Sequence, residues 1–366
     1  MGDDVAMRVV IAPDKFAGTL TAVEAAEAIA AGWRRHAPDD ELDLVPMADG
    51  GPGFVDVLQA AFGGDVCAVT VTAPHGDKVP ATLLRVGETA YVESAQACGL
   101  HLMQGDVELA STTGVGELIR LAVDTGATRV VVGLGGSGTN DAGAGLLSAL
   151  GATSDGILDA GPAALDTVHT VDLGPARAVL AGVELVVATD VDIPLTGLFG
   201  ATKTFGPQKG IAEERIAEVD GWLEAFAEAT DRRTSLEKGA GAAGGLGYAL
   251  MLLGAERRPG VDLVIDAVDL PGKAAAADLV ITGEGAFDFS SRSGKVPYGV
   301  AQVAAEALRP CIALAGQVLV GAREMRALGI ESAYSLVDVV GEERAFNDPA
   351  GSLADLAERI ARTWSH

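Results

Sequence analysis

Short, wholly apolar runs alternate along this chain with longer stretches in which apolar positions recur every three or four residues. The runs predict strands buried on both faces, and the stretches predict helices that turn one stripe to a core. Val9 to Ile11 is the first run. Thr21 and Glu24 then form a capping box ahead of a helix whose apolar face is Ala22, Ala26, Ile29, Ala30 and Trp33. "ELDLVPMADGGPGFVDVLQAAF" repeats strand, loop and helix, with Asp49, Gly50 and Gly51 in the loop. Val69 and Val71, Ala81 to Leu84 and Thr89 to Val92 follow another rhythm, alternating apolar and polar, with turns at Pro74 to Asp77 and at Gly87. This predicts a small antiparallel meander.

Strand and helix units then return. "TTGVGELIRLAVDTGATRVVVGLGG" reads as a helix feeding a strand, and "VELVVATDVDIPL" as a buried strand ending in a polar loop. "KTFGPQKG" reads as polar loop, and an amphipathic helix is expected from Ile211 to about Ala229. Further units follow at "GAGAAGGLGYALMLLG" and "ADLVITGEGAFDFSSRSGKVPYGVAQVAAEAL". A strand at Ile312 to Ala315 and a helix carrying Leu353, Leu356 and Ile360 complete the chain. Strands alternating with helices predict an α/β fold with parallel sheets covered on both faces. A chain of 366 residues exceeds what one core supports, so two α/β domains are expected. Residues 1–65 with 278–366 would form a Rossmann/flavodoxin-like parallel-sheet domain, and 66–277 a second, mixed-sheet domain.

The formal charge of −25 excludes nucleic acid and anionic membrane surfaces as partners, because both would be repelled. Cys67, Cys98 and Cys311 have no metal-ligand spacing and read as buried, reduced thiols, which points to the cytoplasm. No charged and apolar leader opens the chain, and no apolar run reaches the length of a membrane span.

In open α/β sheets ligands sit beyond the carboxyl ends of the strands. Five predicted loops at such ends are unusually polar: Asp14-Lys15, Asp49-Gly50-Gly51, Gly135 to Asp141, Thr189 to Asp192, and Glu284 to Lys295. Residues 133–138, Gly-Leu-Gly-Gly-Ser-Gly, match the GxGxxG pattern of dinucleotide sites. The acidic-ended second strand that a nicotinamide site needs is missing from the turn-rich "GATSDGILDAGPAALDT", and no Walker loop is present. What remains is a loop whose glycines let backbone N–H groups approach phosphate, with Ser137, Thr139 and Asn140 as further donors and Asp141 as a possible metal ligand. A nicotinamide oxidoreductase and a non-catalytic metabolite-binding protein stay open as other readings.

Six ordered blocks sharpen the picture: "VVIAPDKFAGTLTAVEAAEAI", "MADGGPGFVD", "GLGGSGTNDAGAGLLSALG", "TDVDIPLTGLFGATKTFGPQKG", "GAGAAGGLGYAL" and "ITGEGAFDFSSRSGKVPYGVA". In order and spacing they resemble the motifs of the bacterial glycerate kinase family that lacks a Walker loop. The resemblance implies an active site in the cleft between two α/β domains. It also implies ATP-dependent phosphorylation of D-glycerate at the 2-hydroxyl, giving 2-phosphoglycerate, with Mg²⁺. Ala17, Pro52, Ala286 and Ser290 stand where the family usually has Lys, Glu, Arg and Gln, so a kinase of another small hydroxy acid is the alternative.

Phosphoryl transfer needs positioning, charge neutralisation, a metal ion and a proton acceptor, and on that basis the polar residues take expected roles. Gly135, Gly136, Ser137, Thr139, Asn140 and Lys203 would cradle phosphate, with Lys209 a second lysine of the same segment. Asp190, Asp192 and Lys295 would be catalytic, and Asp141 and Asp190 would hold the metal. Asp14, Lys15, Asp49, Gly50, Gly51, Glu284, Asp288 and Arg292 would bind substrate, Arg292 as clamp for its carboxylate.

Overall fold

The computed structural model describes residues 6–16, 18–288 and 295–365. The chain forms two compact units: Met1–Asp49, Asp56–Phe62 and Val261–His366 make the first, and Gly50–Val55 with Gly63–Gly260 the second. The return crossing thus falls at Gly260/Val261 and not at 277/278. Helices Gly260–Ala267 and Leu270–Ala276 belong to the first unit because their apolar residues Val261, Val264 and Leu270 are buried there, and because Lys273 donates to both oxygens of Asp43 at 2.9 and 2.7 Å.

The first unit is built on five parallel strands in the order Ser332–Ser335, Cys311–Val318, Leu279–Phe287, Arg8–Pro13, Glu41–Leu44. The apolar runs Val9–Ala12, Leu279–Ile281 and Ile312–Ala315 are buried, as helices on both faces require. From Arg8–Pro13 the chain moves outward to Glu41–Leu44 on one side and later returns as Leu279–Phe287 on the other. The strand order therefore reverses direction between Arg8–Pro13 and Leu279–Phe287, the position at which such sheets open a crevice. Helix Ala22–His36 begins with the expected capping box, Thr21 N–H donating to Glu24 and Glu24 N–H to the Thr21 hydroxyl at 2.9 and 3.2 Å. Trp33 is fully buried, and its indole N–H donates to Asp40 at 2.8 Å.

The second unit has a mixed sheet in the order Glu256–Arg258, Glu184–Ala188, Arg129–Gly133, Thr89–Glu93, Lys78–Val86, Asp65–Thr72. The last three strands form the antiparallel meander, and the remaining pairings are parallel. Register brings Glu93, Gly133 and Ala188 to one level at the carboxyl ends of three neighbouring strands.

Two stretches differ from their expected form: Glu284 to Phe287, expected as loop, continues the strand Leu279–Phe287 because it stays paired with the neighbouring strand as far as Val318. "KTFGPQKG" is not loop: Ala201–Lys209 is a helix with Pro207 inside it, followed by a 3₁₀ turn at Glu213–Arg215 and a helix at Ile216–Ala229. Gly206 and Pro207 break the apolar periodicity, so this helix has little propensity of its own and is held by burying Ala201, Thr202 and Lys209.

Helix Ala22–His36 lies so close to helix Pro349–Trp364 that a Cβ added at Gly32 would stand 1.9 Å from the Ala354 carbonyl oxygen. Gly32→Ala is therefore expected to lower the unfolding free energy by about 1–3 kcal/mol, the usual cost of overpacking, despite the better helix propensity of alanine. Urea denaturation measures it; a variant as stable as the parent would mean that the two helices separate freely.

Candidate active site

Expected site residues gather in two places, one in each unit. In the first unit, Pro13 ends its strand and Asp14 N–H donates to the Gly283 carbonyl at 2.8 Å, which sets Asp14 and Lys15 at the switch point. A cavity of about 440 Å³ opens there. Its polar side is Asp14, Lys15, Asp49, Glu284, Asp288 and Lys295, and its apolar wall includes Leu336, Val337 and Phe346. The Lys15 ammonium lies 3.6 Å from both Asp14 and Asp49. Asp14 is buried, and its Oδ1 accepts the Lys15 backbone N–H at 2.7 Å. Burial pushes the Asp14 carboxyl up to about 6; Lys15 works against the shift and Asp49 adds to it. Burial pulls the Lys15 ammonium down, but Asp14 and Asp49 outweigh it and leave the group above its ordinary value. Ala286 also lines this cavity. Arg292, Ala17 and Ser290 lie outside the described residues.

In the second unit, strand Arg129–Gly133 runs into the glycine loop. The Leu134 N–H donates to the Ala188 carbonyl at 2.9 Å, the Gly138 N–H to Cys98 at 2.8 Å, and the Gly136 carbonyl accepts from Leu100 at 2.8 Å. Gly50 and Gly51 press against the start of this loop. An added Cβ at Gly133 would lie 2.5 Å from the Gly50 oxygen, at Gly135 2.6 Å from the Gly51 Cα, and at Gly136 2.8 Å from the Pro52 ring. Gly50 (φ +90) is itself hemmed in, since a Cβ added there would lie 2.6 Å from the Ala188 carbonyl oxygen. The DGGPG segment is held in turn by Glu93, whose buried carboxylate accepts the N–H groups of Gly53 and Val55 at 3.0 and 3.4 Å. These glycines serve backbone packing as well as any ligand, so a bulky residue at Gly136 would disturb the fold along with the site.

Beneath the loop lies Lys209, buried, its ammonium 3.0 Å from the Ser137 hydroxyl and 2.7 Å from the Thr139 carbonyl. A cavity of about 150 Å³ is lined by Gly135, Gly136, Ser137, Val191, Lys209 and Ala243, among others. The N–H groups of Gly136 and Ser137 have no protein acceptor among the described residues. Asp190 follows the strand Glu184–Ala188, half-buried, one residue before Val191 of the cavity wall.

Four expected roles are corrected. Asp141 is fully buried and saturated: Oδ2 accepts from the Thr112 N–H and hydroxyl, both at 2.8 Å, and from Gly145 N–H at 3.2 Å, while Oδ1 accepts from Gly143 N–H at 3.0 Å. Two of these four bonds cap the start of helix Ala144–Ala149, and the four occupy both carboxylate oxygens, which argues against the expected metal role. Asp192 is exposed and paired with Arg257 and Lys238, so it is no base. Lys203 is exposed, because six residues of helix turn it away from the face that buries Lys209. Asn140 is fully buried and donates to the Thr202 hydroxyl at 3.0 Å, so it braces the loop from inside. Glu93 gave one sequence signal, an acid at the end of an alternating strand, and nothing local distinguished it from a surface carboxylate.

Among the described residues no three His, Cys, Asp or Glu side chains converge as a metal ligand set. Nor is any helix among them long and apolar enough to cross a membrane. Cys67, Cys98 and Cys311 are free, with burial pushing the Cys98 and Cys311 thiols up to about 12.

The comparisons with known proteins agree with a phosphotransferase rather than a nicotinamide enzyme. A family model described as the glycerate kinase family matches residues 9–365. The glycerate kinase of Bacillus subtilis strain 168 is 40% identical over 97% of both chains, and the glycerate 2-kinase of Escherichia coli K12 is 39% identical over 98% of both. A crystal structure of a candidate glycerate kinase 2 from Salmonella typhimurium LT2 superimposes with a TM-score of 0.82 at 38% identity, covering 98% of each chain. The chain is a small-molecule kinase by class, and it belongs to the glycerate kinase family.

If Asp141 is a cap and not a ligand, Asp141→Ala leaves four donors unmatched and should cost about 3 kcal/mol or more of stability. Thermal and urea unfolding test this directly. A variant that kept its melting temperature but lost Mg²⁺-dependent turnover would restore the metal role.

Proposed function

We propose that this chain transfers the γ-phosphoryl group of ATP to the 2-hydroxyl of D-glycerate, giving 2-phosphoglycerate and ADP. The observation that carries the reading is the first unit's cavity at the strand switch point. Hydroxyl groups donate hydrogen bonds and a carboxylate accepts them, so a hydroxy acid is matched by a lining of carboxylates together with lysines. Asp14, Asp49, Glu284 and Asp288 are the acceptors, and Lys15 and Lys295 the cations for the acid's carboxylate. The family membership and the name of the Escherichia coli relative support the substrate and the hydroxyl.

Asp14 takes the proton of the attacking hydroxyl: a carboxyl held near 6 is ionised at neutral pH yet more basic than an ordinary one. The oxygen then bonds to the γ-phosphorus, the bond to the β-phosphate oxygen breaks, and ADP leaves with that electron pair. The Gly136 and Ser137 amides and the Lys209 charge are the second unit's groups for phosphate. Mg²⁺ asks for one or two protein carboxylates, with phosphates and water completing its shell. Asp190 beside the loop fits that demand and the saturated Asp141 does not; the ion would neutralise phosphate charge. Ala286 and the volume of the cavity leave room for a longer hydroxy acid as a second substrate.

Phosphorus NMR of the product formed from D-glycerate and ATP decides the substrate and the hydroxyl together. A 2-phosphate ester with stoichiometric ADP is expected, and ADP formation only with another acid would sink the glycerate assignment. Asp14 gives a pH test with a definite sign. Turnover should rise with pH through about 6, while stability falls between 3.8 and about 6 because the folded chain still holds a proton that the unfolded chain has released. In Asp14→Asn both limbs should vanish and kcat should drop about a hundredfold or more. Retention of the acid limb in that variant would move the base elsewhere.

A further inference from the structure

Against the glycine loop lies a buried cation, Lys209 of helix Ala201–Lys209, whose bonds go to the loop itself. We propose that Lys209 is the positioning residue of this loop, holding Ser137 and Thr139 in the shape that receives the ATP phosphates. The inference rests on the reading of the loop as the phosphate site and adds to it the part that sets its geometry.

Three observations carry it. Lys209 closes helix Ala201–Lys209, just ahead of Gly210 in the left-handed region (φ 99) that ends the helix. Its ammonium spans Gly138, bonding the Ser137 hydroxyl at 3.0 Å on one side and the Thr139 carbonyl at 2.7 Å on the other. Thr202, seven residues earlier and so on the same face of the helix, accepts from the next loop residue, Asn140, at 3.0 Å. One helix therefore grips residues 137–140 at two points, two turns apart. Backbone bonds hold the same stretch, the Gly138 N–H donating to the Cys98 carbonyl at 2.8 Å, so the two side-chain contacts from this helix add to that frame and fix the side-chain positions of residues 137–140.

A buried ammonium is costly unless anionic or hydrogen-bonding groups surround it. The titratable groups facing Lys209 are the Cys98 thiol, on the short helix Ala95–Cys98, and the Asp141 carboxylate, on the loop itself. Burial pulls Lys209 down to about 8 in spite of both. The ammonium forms part of the wall of the 150 Å³ cavity together with Gly135 and Gly136, so an incoming phosphate supplies the negative charge that the floor lacks.

Lys209→Met keeps the length of the side chain and removes the charge and its donors. Its KM for ATP should rise at least about tenfold, while the KM for D-glycerate stays within about twofold. Equal rises in both constants, or no rise in a folded variant, would overturn the proposal. The parent protein offers a test that does not depend on whether the variant folds. Calorimetric affinity for ADP should be full below about 8 and fall as pH passes through that value. A flat profile would overturn the proposal. Failure here is separable from failure of the proposed function: turnover of D-glycerate with no Lys209 dependence sinks only the positioning role. Nucleotide binding that depends on Lys209 without glycerate turnover sinks only the substrate.

Discussion

Close contact between two glycine-bearing backbones is the constraint on which the second unit's site depends. Gly50 and Gly51 lie against Gly133 and Gly135 at separations that no Cβ would allow. Because the strands ending at Glu93, Gly133 and Ala188 are in register, this contact falls at the one level where three strand ends meet. Everything near the loop is then arranged around it. Glu93 ties down the DGGPG segment, Asp141 caps the helix behind the loop, and helix Ala201–Lys209 closes it from below. In the proposed reading a phosphate would meet a loop fixed by these contacts, with the Gly136 and Ser137 amides and the Lys209 charge as its partners.

Charge is handled differently in the two units. An acidic protein must still admit anions, and a net charge of −25 makes the long-range field unfavourable. The second unit answers with a cation stripped of water, whose field is screened far less than that of a surface lysine. The first unit interleaves carboxylates with lysines around its cavity, an arrangement suited to a ligand that carries hydroxyl groups and one negative charge. Burial raises the carboxyl of Asp14, whereas the ammonium of Lys15 is raised by Asp14 and Asp49 against the pull of burial.

Much of this was legible in the amino-acid order. Capping at Thr21 and Glu24, the apolar runs of the parallel strands and the alternating meander each rest on local physics, and each stands in the structure. Asp14, Lys15, Asp49, Glu284, Asp288 and Lys295 could be grouped because strand ends in such sheets share one edge. The helical form of Ala201–Lys209 was not legible, since its interior proline and weak apolar stripe give no local sign of a helix held by burial alone. With that helix missing, Lys203 and Lys209 looked alike.

Sequence by itself determined the apolar runs that become strands, the polar residues gathered at or near their carboxyl ends, and the glycines of the loop. Only the tertiary structure decided how each polar group is used. Asp141 and Asp192 are both carboxylates near strand ends, yet one is consumed by four donors and the other by the cations Arg257 and Lys238. Gly50 and Gly51 follow Asp49 directly, yet they belong to the second unit and Asp49 to the first. The reason is that a hydrogen-bonding group's role is set by which partners reach it within about 3 Å, and those partners come from segments far away in the chain. Residue type states what a side chain can do; burial and register choose among its options.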